Sequence, residues 1–153
     1  MPRSQPACLE GGRPVADLVE IQQVLFRYCY AHDSQDTEML RTVLAKDASL
    51  LGQQGREAVV NAYTEGYKTL TKRRRHLLTN LFMVEDGETE VVVQSYVTLY
   101  LIDGDHEEFH LTGVYRDHVV LEDGGWKIRT REAEMDVPYN PGDAPAALTG
   151  RRS

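Results

Sequence analysis

Hydrophobic residues recur at intervals of three and four through the first part of the chain. Over residues 17–32 this spacing predicts an amphipathic helix whose apolar face is formed by Leu18, Ile21, Leu25, Tyr28 and His32. Asp17 and Glu20 have the spacing of a capping box at its start. A second helix is predicted after Asp36, with an apolar face of Leu40, Val43 and Leu44. A third is predicted from Gly55, with one side formed by Val59, Val60, Tyr63 and Tyr67.

The pattern changes from helical to extended near residue 76. Four β-rich segments follow, at 76–84, 90–102, 109–121 and 126–134, and an Asp-Gly pair separates each from the next. Asp-Gly between two such segments is typical of a hairpin turn. A further short strand or turn is predicted at 47–51. Helices first and strands afterwards indicate an α+β domain, with helices packed on one face of a mostly antiparallel sheet.

The second β-rich segment is apolar on both sides. Alternate positions give one face of Val91, Val93, Val97 and Leu99, and an opposite face of Val92, Tyr96 and Tyr100. A strand with one face in water would alternate apolar and polar residues. The helices can cover one face, and a second copy of the chain is the simplest cover for the other. We therefore expect a homo-oligomer, either a dimer or a trimer.

Length and composition fit one globular domain. The chain has 153 residues, of which 41% are hydrophobic and 27% charged. Residues 1–14 are predicted to be a flexible leader, 15–137 the folded domain, and 138–153 a C-terminal loop rich in proline and glycine. No apolar run approaches the roughly 20 residues of a membrane span, and the leader has no apolar core of a secretory signal.

The net charge of −7 narrows the range of partners. Nucleic-acid binding and docking on an anionic membrane both need a basic surface, so we expect neither. The two cysteines, Cys8 and Cys29, form no metal-binding or disulfide pattern, which favours the cytoplasm. The chain has no nucleotide-binding or zinc-protease motif, so we expect no cofactor and no metal. The remaining partner class is a small molecule.

Two short segments carry candidate chemistry. Asp33 follows the first predicted helix, where the helix dipole disfavours a carboxylate, although it could simply begin the turn or cap the next helix. His76 begins the first long strand, where a lone histidine is more often structural than catalytic. If the two side chains met, the carboxylate would fix the tautomer of the imidazole and stabilise its charged form, which makes a competent base near neutral pH.

Four stretches of the sequence follow one another in this order: IQQVLFRYCYAHDSQDTEMLRTVLAKDASL, GREAVVNAY, RRRHLLTN and GVYRDHVVLEDGGWKIRTRE. Together they resemble the SnoaL-like group of the nuclear-transport-factor-two-like superfamily, over about residues 15–135. The resemblance implies a cone-shaped α+β barrel, in which N-terminal helices pack on a curved, mostly antiparallel sheet. Its relatives include scytalone dehydratase, hexachlorocyclohexane dehydrochlorinase, ketosteroid isomerase and polyketide cyclases.

The resemblance also implies roles for particular residues. Asp33 and His76 match the His–Asp dyad of the dehydratase branch, and Tyr30 lies near a helix tyrosine of scytalone dehydratase. Asn80 and His110 are expected to point into the cavity. An aromatic lining is expected from Phe26, Tyr30, Tyr63, Tyr67, Phe82 and Tyr96, which suits a hydrophobic cyclic substrate.

The expected function is that of a cofactor-independent lyase, a dehydratase that uses the dyad as general base for β-elimination. A cyclase or isomerase of a polyketide or terpenoid natural-product pathway is the first alternative, because it begins with the same proton abstraction. A non-catalytic ligand-binding or assembly domain is the second. The basic run at residues 72–75 is either a solvated loop or a cavity mouth that attracts anions, and the role of Asp117 stays open.

Overall fold

The computed structural model of the chain describes residues 18–137. The predicted leader at 1–14, the predicted C-terminal loop at 138–153 and Cys8 lie outside the described residues. Within residues 18–137 the chain forms three helices and six strands. None of these helices is both long enough and apolar enough to cross a membrane.

The three helices begin where the sequence predicts. Helix α1 is Leu18–Ser34, α2 is Thr37–Val43 and α3 is Arg56–Tyr67. The Asp36 carboxylate accepts a hydrogen bond of 2.9 Å from the backbone N–H of Met39, which confirms the predicted cap of α2. Gly55 stands directly before α3 at φ 89°, a conformation that glycine adopts without strain.

The six strands form one sheet. Its elements are β1 (Leu44–Leu50), β2 (Gln53–Gln54), β3 (Arg73–Asp86), β4 (Glu90–Asp103), β5 (His106–Glu122) and β6 (Gly125–Met135). The strand order is β2-β1-β6-β5-β4-β3, so β3 to β6 form the predicted meander. The sheet is mostly antiparallel and curves around the helices without closing, which confirms the α+β fold class.

Strand β1 differs from the prediction. It begins at Leu44, which the helical pattern had assigned to α2, and it pairs parallel with β6. This parallel pairing joins β1 to the meander through a partner that is distant in the sequence. The short β2 then pairs antiparallel with β1 and ends the sheet on that side.

The core lies between the helices and one face of the sheet. That face presents the odd-numbered residues of β4, with Val91, Val93 and Val97 at most 1% exposed. The opposite face carries the even-numbered residues, of which Tyr96 is 52% exposed. Below, the covered face is called the inner face and the other the outer face. Both faces of β4 are apolar, as predicted, but only the inner face is covered by the described residues.

Two of the register shifts in the sheet decide which side chains reach the inner face. In β3 the pairing with β4 shifts between Thr79 and Phe82, and Asn80 has a positive φ of 52°. In β6 the pairing with β5 skips Arg129, because Ile128 pairs with Val119 and Thr130 with His118. Each bulge inserts one residue and therefore reverses which side chains point inward beyond it.

Gly113 is a position where the packing requires glycine. A Cβ added there would lie 2.5 Å from the carbonyl oxygen of Glu134 and 3.0 Å from Sδ of Met135. We expect Gly113→Ala to lower the free energy of unfolding by about 1 to 3 kcal/mol, measured by urea denaturation. Gly125→Ala is the matched control, because its Cβ would meet nothing closer than Lys127 Cε at 3.9 Å. Equal stability of the two variants would contradict this reading of the β5–β6 contact.

Candidate active site

The side chains of Asp33 and His76 meet where the end of α1 lies against strand β3. Asp33 Oδ1 is 2.6 Å from His76 Nδ1, and the backbone N–H of His76 donates to Asp33 Oδ2 at 2.9 Å. Strand β3 is at the edge of the sheet, so this N–H faces away from β4 and needs a partner outside the sheet. These two contacts offset the unfavourable position of a carboxylate at a helix C-terminus.

The geometry of this pair leaves one ring nitrogen available. A carboxylate at Nδ1 favours the tautomer with the proton on Nδ1 and a lone pair on Nε2. No side chain among residues 18–137 hydrogen-bonds His76 Nε2. The side chains are 9% exposed for Asp33 and 13% for His76, so both lie largely out of water. The arrangement can therefore accept a proton at Nε2 and stabilise the resulting cation through Asp33.

A second polar cluster surrounds His32, one residue before Asp33. Its Nδ1 is 3.0 Å from the hydroxyl of Tyr67, and its Nε2 is 3.3 Å from the hydroxyl of Tyr28. The Tyr28 hydroxyl in turn shares a hydrogen bond with that of Tyr63. The rings of His32 and His76 have centroids 6.0 Å apart, so the tyrosine cluster adjoins the dyad.

Burial keeps this second cluster uncharged. Desolvation lowers the pKa of His32 well below its usual value, and the neighbouring His76, Arg131 and Arg74 lower it further. Desolvation also raises the pKa of Tyr63 to about 12 and that of Tyr67 higher still. At neutral pH His32 is therefore a neutral link between two hydroxyl groups, and it is poorly suited to act as a base itself.

Arg131 and Asp117 form a buried ion pair on the inner face of β5 and β6. Arg131 Nε and Nη2 donate to the two oxygens of Asp117 at 2.6 and 2.9 Å, and the two side chains are 6% and 0% exposed. The guanidinium carbon also lies 4.3 Å from the ring centroid of Tyr28 and 4.1 Å from that of Tyr115. Burial acts to lower the pKa of Arg131, but the Asp117 carboxylate outweighs it, so the guanidinium stays charged.

A cavity of about 160 Å³ opens beside Asp33. Its walls come from the end of α1, the following turn and the segment before β3, and comprise His32, Asp33, Gln35, Leu70, Thr71, Lys72, Arg73 and Arg74. The basic run thus borders the site rather than lying apart from it. Lys72 is paired with Glu108 at 3.0 Å, and Arg74 is only 7% exposed, so part of this run is built into the fold.

Several residues predicted to line the cavity lie elsewhere. Phe26 and Tyr30 are 43% and 65% exposed, because they share the face of α1 that is turned away from the buried stripe. Tyr96 is on the outer face of β4, since every even-numbered residue of that strand points outward.

Two further expectations are corrected by the bulge in β3. Asn80 is exposed at the bulge, and Phe82 falls on the outer face beyond it, where it is 50% exposed. The bulge turns Leu81 inward in place of Phe82.

His110 lies in a different strand, β5, and is half-buried. It is the extra residue where the pairing of β5 with β4 shifts between Leu99 and Tyr100. Of the predicted aromatic lining, Tyr63 and Tyr67 are buried in the cluster around His32.

Sequence reasoning did not assign a role to three polar residues near the site, and only two of them gave a usable signal. Tyr28 and His32 stand four residues apart on the predicted apolar face of α1, so their helical spacing was a usable signal. Arg131 gave no such signal. Ile128 and Arg131 are three residues apart, and simple alternation places them on opposite faces of a strand.

Within residues 18–137 no three His, Cys, Asp or Glu side chains are grouped so that they could hold a metal ion.

Comparison with known proteins identifies the family of the chain. The sequence matches the SnoaL-like domain over residues 13–132. A provisionally assigned scytalone dehydratase from Novosphingobium aromaticivorans is 27% identical and superposes with a TM-score of 0.70, over 90% of this chain and 95% of that chain. A protein of unknown function from Mycobacterium tuberculosis shares the fold, with 24% identity, a TM-score of 0.70, and coverage of 86% and 82% of the two chains.

A third similar structure contains a small molecule. It is a Catenulispora acidiphila protein in complex with S-DNPA, with 26% identity and a TM-score of 0.67, over 77% of this chain and 92% of that chain. A comparison with curated protein sequences gives no significant match. The match over residues 13–132, together with the shared fold, shows that the chain belongs to the SnoaL-like domain family.

Proposed function

We propose that the protein is a cofactor-independent lyase that removes water from a hydrophobic cyclic small molecule, with His76 as general base and Asp33 as its partner. The observation that carries this proposal is the contact of 2.6 Å between Asp33 Oδ1 and His76 Nδ1. Membership of the SnoaL-like family and the likeness to a provisionally assigned scytalone dehydratase support an enzymatic function on a small molecule.

The reaction begins at a carbon next to a carbonyl group. His76 Nε2 takes a proton from this carbon, and the electron pair of the C–H bond forms a C=C bond as the C–O bond on the neighbouring carbon breaks. The leaving hydroxyl group takes up the proton that His76 gained and departs as water. The imidazole is then neutral again, and no oxidant or reductant is consumed. Asp33 stabilises the imidazolium that exists between these two proton transfers.

The tyrosine cluster supplies a hydroxyl group for the substrate oxygen. Tyr67 is 8% exposed and its hydroxyl is oriented by His32 at 3.0 Å, which makes it the best placed of the buried tyrosines. Its high pKa means that it acts as a hydrogen-bond donor and not as a phenolate. In this role Tyr67 replaces Tyr30 and Asn80, whose side chains are exposed.

The surface around the dyad favours a hydrophobic substrate. The inner-face neighbour of His76 on β4 is Leu99, which pairs in turn with Leu111 on β5. These two residues form a separate apolar cluster with Leu101 and the partly buried Met135. Leu99, Leu101 and Leu111 are only 2% to 7% exposed, so the wall beside the dyad is apolar and closed to water.

An isomerase or cyclase would start from the same dyad, because proton abstraction from carbon precedes both outcomes. Product analysis separates them, since elimination lowers the mass by one water and isomerisation leaves it unchanged. A binding domain without catalysis would leave the mass of every candidate substrate unchanged and its double-bond positions intact.

The outer face of the sheet supports the proposal that the protein is a homo-oligomer. Four large apolar side chains on β3, β4 and β5 are about half exposed there: Leu77 46%, Phe82 50%, Tyr96 52% and Phe109 59%. Exposed apolar patches of this kind mark interaction sites. A second copy of the chain fits because an extended sheet face is self-complementary across a two-fold axis.

The dyad is tested by two conservative substitutions. We expect His76→Gln and Asp33→Asn each to lower the rate of dehydration by about 10² to 10⁴-fold, the usual contribution of a general base. Scytalone and other cyclic β-hydroxyketones serve as candidate substrates, with product mass and ultraviolet absorbance as readouts. The controls are His118→Gln and Asp47→Asn, whose parent side chains bond Glu90 and Arg129 away from the dyad. Full activity in both dyad variants would sink the proposal.

His32 makes stability depend on pH. Its pKa is near 6.5 in the unfolded chain and well below that in the folded protein. The unfolded state therefore binds a proton that the folded state does not, so stability is complete above pH 6.5 and falls as the pH drops. The loss attributable to His32 is up to about 1.4 kcal/mol per pH unit. His32→Gln should remove this part of the slope in urea melts between pH 7.5 and 5, whereas the exposed-turn variant His106→Gln should follow the wild type.

The oligomer is tested on the outer face. We expect light scattering after gel filtration to give the mass of a dimer or trimer for the wild type and that of a monomer for Phe82→Glu combined with Tyr96→Glu. Phe26→Glu is the matched control, because Phe26 is 43% exposed on α1, away from the sheet. A wild-type protein that is monomeric at micromolar concentration would contradict the proposal.

A further inference from the structure

We infer that His32 carries its proton on Nδ1 and is a positioning residue, which leaves the hydroxyl hydrogen of Tyr67 to be donated to the substrate. This inference rests on the proposed function, because it says how the donor for the substrate oxygen is held. It concerns a chain of four hydrogen-bonding side chains, in the order Tyr63, Tyr28, His32 and Tyr67. A hydroxyl group can donate or accept, so the direction of the chain is decided by counting its hydrogen atoms.

The ring of His32 has one N–H and one lone pair to offer. Desolvation keeps its pKa well below the usual value, so the ring is neutral at neutral pH. Its Nδ1 is 3.0 Å from the hydroxyl of Tyr67 and its Nε2 is 3.3 Å from that of Tyr28, so both nitrogens have a tyrosine partner. The ring therefore donates to one tyrosine and accepts from the other, and its tautomer decides which.

A proton on Nε2 would leave one hydroxyl hydrogen of the Tyr28–Tyr63 pair unused. The two hydroxyls hold two hydrogens but share one hydrogen bond, and with Nε2 protonated neither has another acceptor within residues 18–137. Both side chains are 4% exposed, so the spare hydrogen would be buried without a partner, which is unfavourable. With the proton on Nδ1, Tyr63 donates to Tyr28 and Tyr28 donates to His32 Nε2, so both hydrogens are used.

The Nδ1 tautomer moves the spare hydrogen to Tyr67, at the end of the chain that lies toward the cavity beside Asp33. His32 lines this cavity, and so does Leu70, whose backbone N–H donates to the carbonyl oxygen of Tyr67 at 3.1 Å. The Tyr67 hydroxyl is within electrostatic reach of Asp33 and Arg74, which also belong to the cavity wall. A hydrogen at this end is therefore next to the space that a substrate can enter.

The opposite end of the chain lies in the interior. The Tyr63 hydroxyl is within electrostatic reach of Arg131, Cys29 and Asp117, all of which are buried. A spare hydrogen there would face packed protein and no cavity. The location of the two ends thus favours the same direction as the count of hydrogens.

A one-way chain makes the Tyr67 hydroxyl a better donor. Hydrogen bonds in series polarise one another, so a hydroxyl that accepts from His32 donates its own hydrogen more strongly. The chain is also held at its interior end, because the guanidinium carbon of Arg131 lies 4.3 Å from the centroid of the Tyr28 ring. The donor for the substrate oxygen is therefore oriented before the substrate binds, which is the condition under which a dipole stabilises developing charge most effectively.

The first test reads the position of the proton in the unaltered protein. Long-range ¹H–¹⁵N correlation spectra of ¹⁵N-labelled protein distinguish a protonated ring nitrogen from an unprotonated one by chemical shift. At pH 7.5 we expect His32 to be protonated on Nδ1 and unprotonated on Nε2, with its signals assigned by their absence in His32→Gln. The exposed His106 is the internal control and should show shifts averaged between tautomers. In His32, a proton on Nε2 or on both nitrogens, or averaged shifts, would overturn the inference.

The second test compares two substitutions of His32 in the dehydration assay. The amide nitrogen of asparagine lies near the position of Nδ1 and can donate to Tyr67, whereas that of glutamine lies near the position of Nε2 and reaches Tyr28. We expect kcat to be about three- to tenfold higher in His32→Asn than in His32→Gln, the effect of one hydrogen bond. His118→Asn and His118→Gln are the matched pair and should have equal kcat. Equal kcat in the two His32 variants, or a higher value for glutamine, would contradict a positioning role.

The two tests separate this inference from the proposed function. The ring-nitrogen spectrum needs no substrate, so it decides the tautomer whether or not dehydration is found. A proton on Nε2 of His32, together with loss of dehydration in His76→Gln, would leave the dyad standing and remove this inference alone. A proton on Nδ1 of His32, together with full activity in His76→Gln, would remove the dyad and leave the direction of the chain intact.

Discussion

The contact between Asp33 and His76 joins the end of a helix to the edge of a sheet. Without it, α1 would end in a carboxylate at the negative end of its dipole, and β3 would present an unbonded N–H at its outer side. Asp33 resolves both problems with its two oxygens, one on the backbone N–H and one on the imidazole. The ring is oriented by the same bond that fixes the helix, so the position of the candidate base is a consequence of the fold.

Regular periodicity made much of this structure predictable. The buried stripe of α1, the cap at Asp36 and three Asp-Gly turns each follow from spacing and local chemistry, and with them the α+β class. Asp33 and His76 were different, because nothing in the spacing of two residues 43 positions apart says that they meet. The resemblance to the SnoaL-like group supplied that expectation, and the geometry brings the two side chains within a hydrogen bond.

The expectations that failed did so where regular alternation stops. Phe82 was expected in the cavity lining, but the residue inserted at the Asn80 bulge places it on the outer face. Arg131 lies on the inner face for the opposite reason. The bulge at Arg129 places both Ile128 and Arg131 on that face. Such bulges depend on pairing with a neighbouring strand, and the pairing is set by tertiary contacts that a single sequence does not display. The parallel partner of β1 was missed for the same reason, since β6 lies some 80 residues further along the chain.

Charge inside the domain is arranged so that one proton transfer can be accommodated. The Arg131–Asp117 pair is neutral overall, and burial keeps His32 and its tyrosines neutral, so Asp33 is the charged group that bonds His76 directly. In the proposed reaction His76 and Asp33 become a neutral pair when His76 accepts the proton, and negative charge develops on the hydroxyl oxygen as its C–O bond breaks. That oxygen needs hydrogen-bond donors that cost no reorganisation, because preorganised dipoles in a water-poor site are worth far more than mobile ones. In the proposed reaction the hydroxyl of Tyr67, which His32 orients at 3.0 Å, is such a donor near the base.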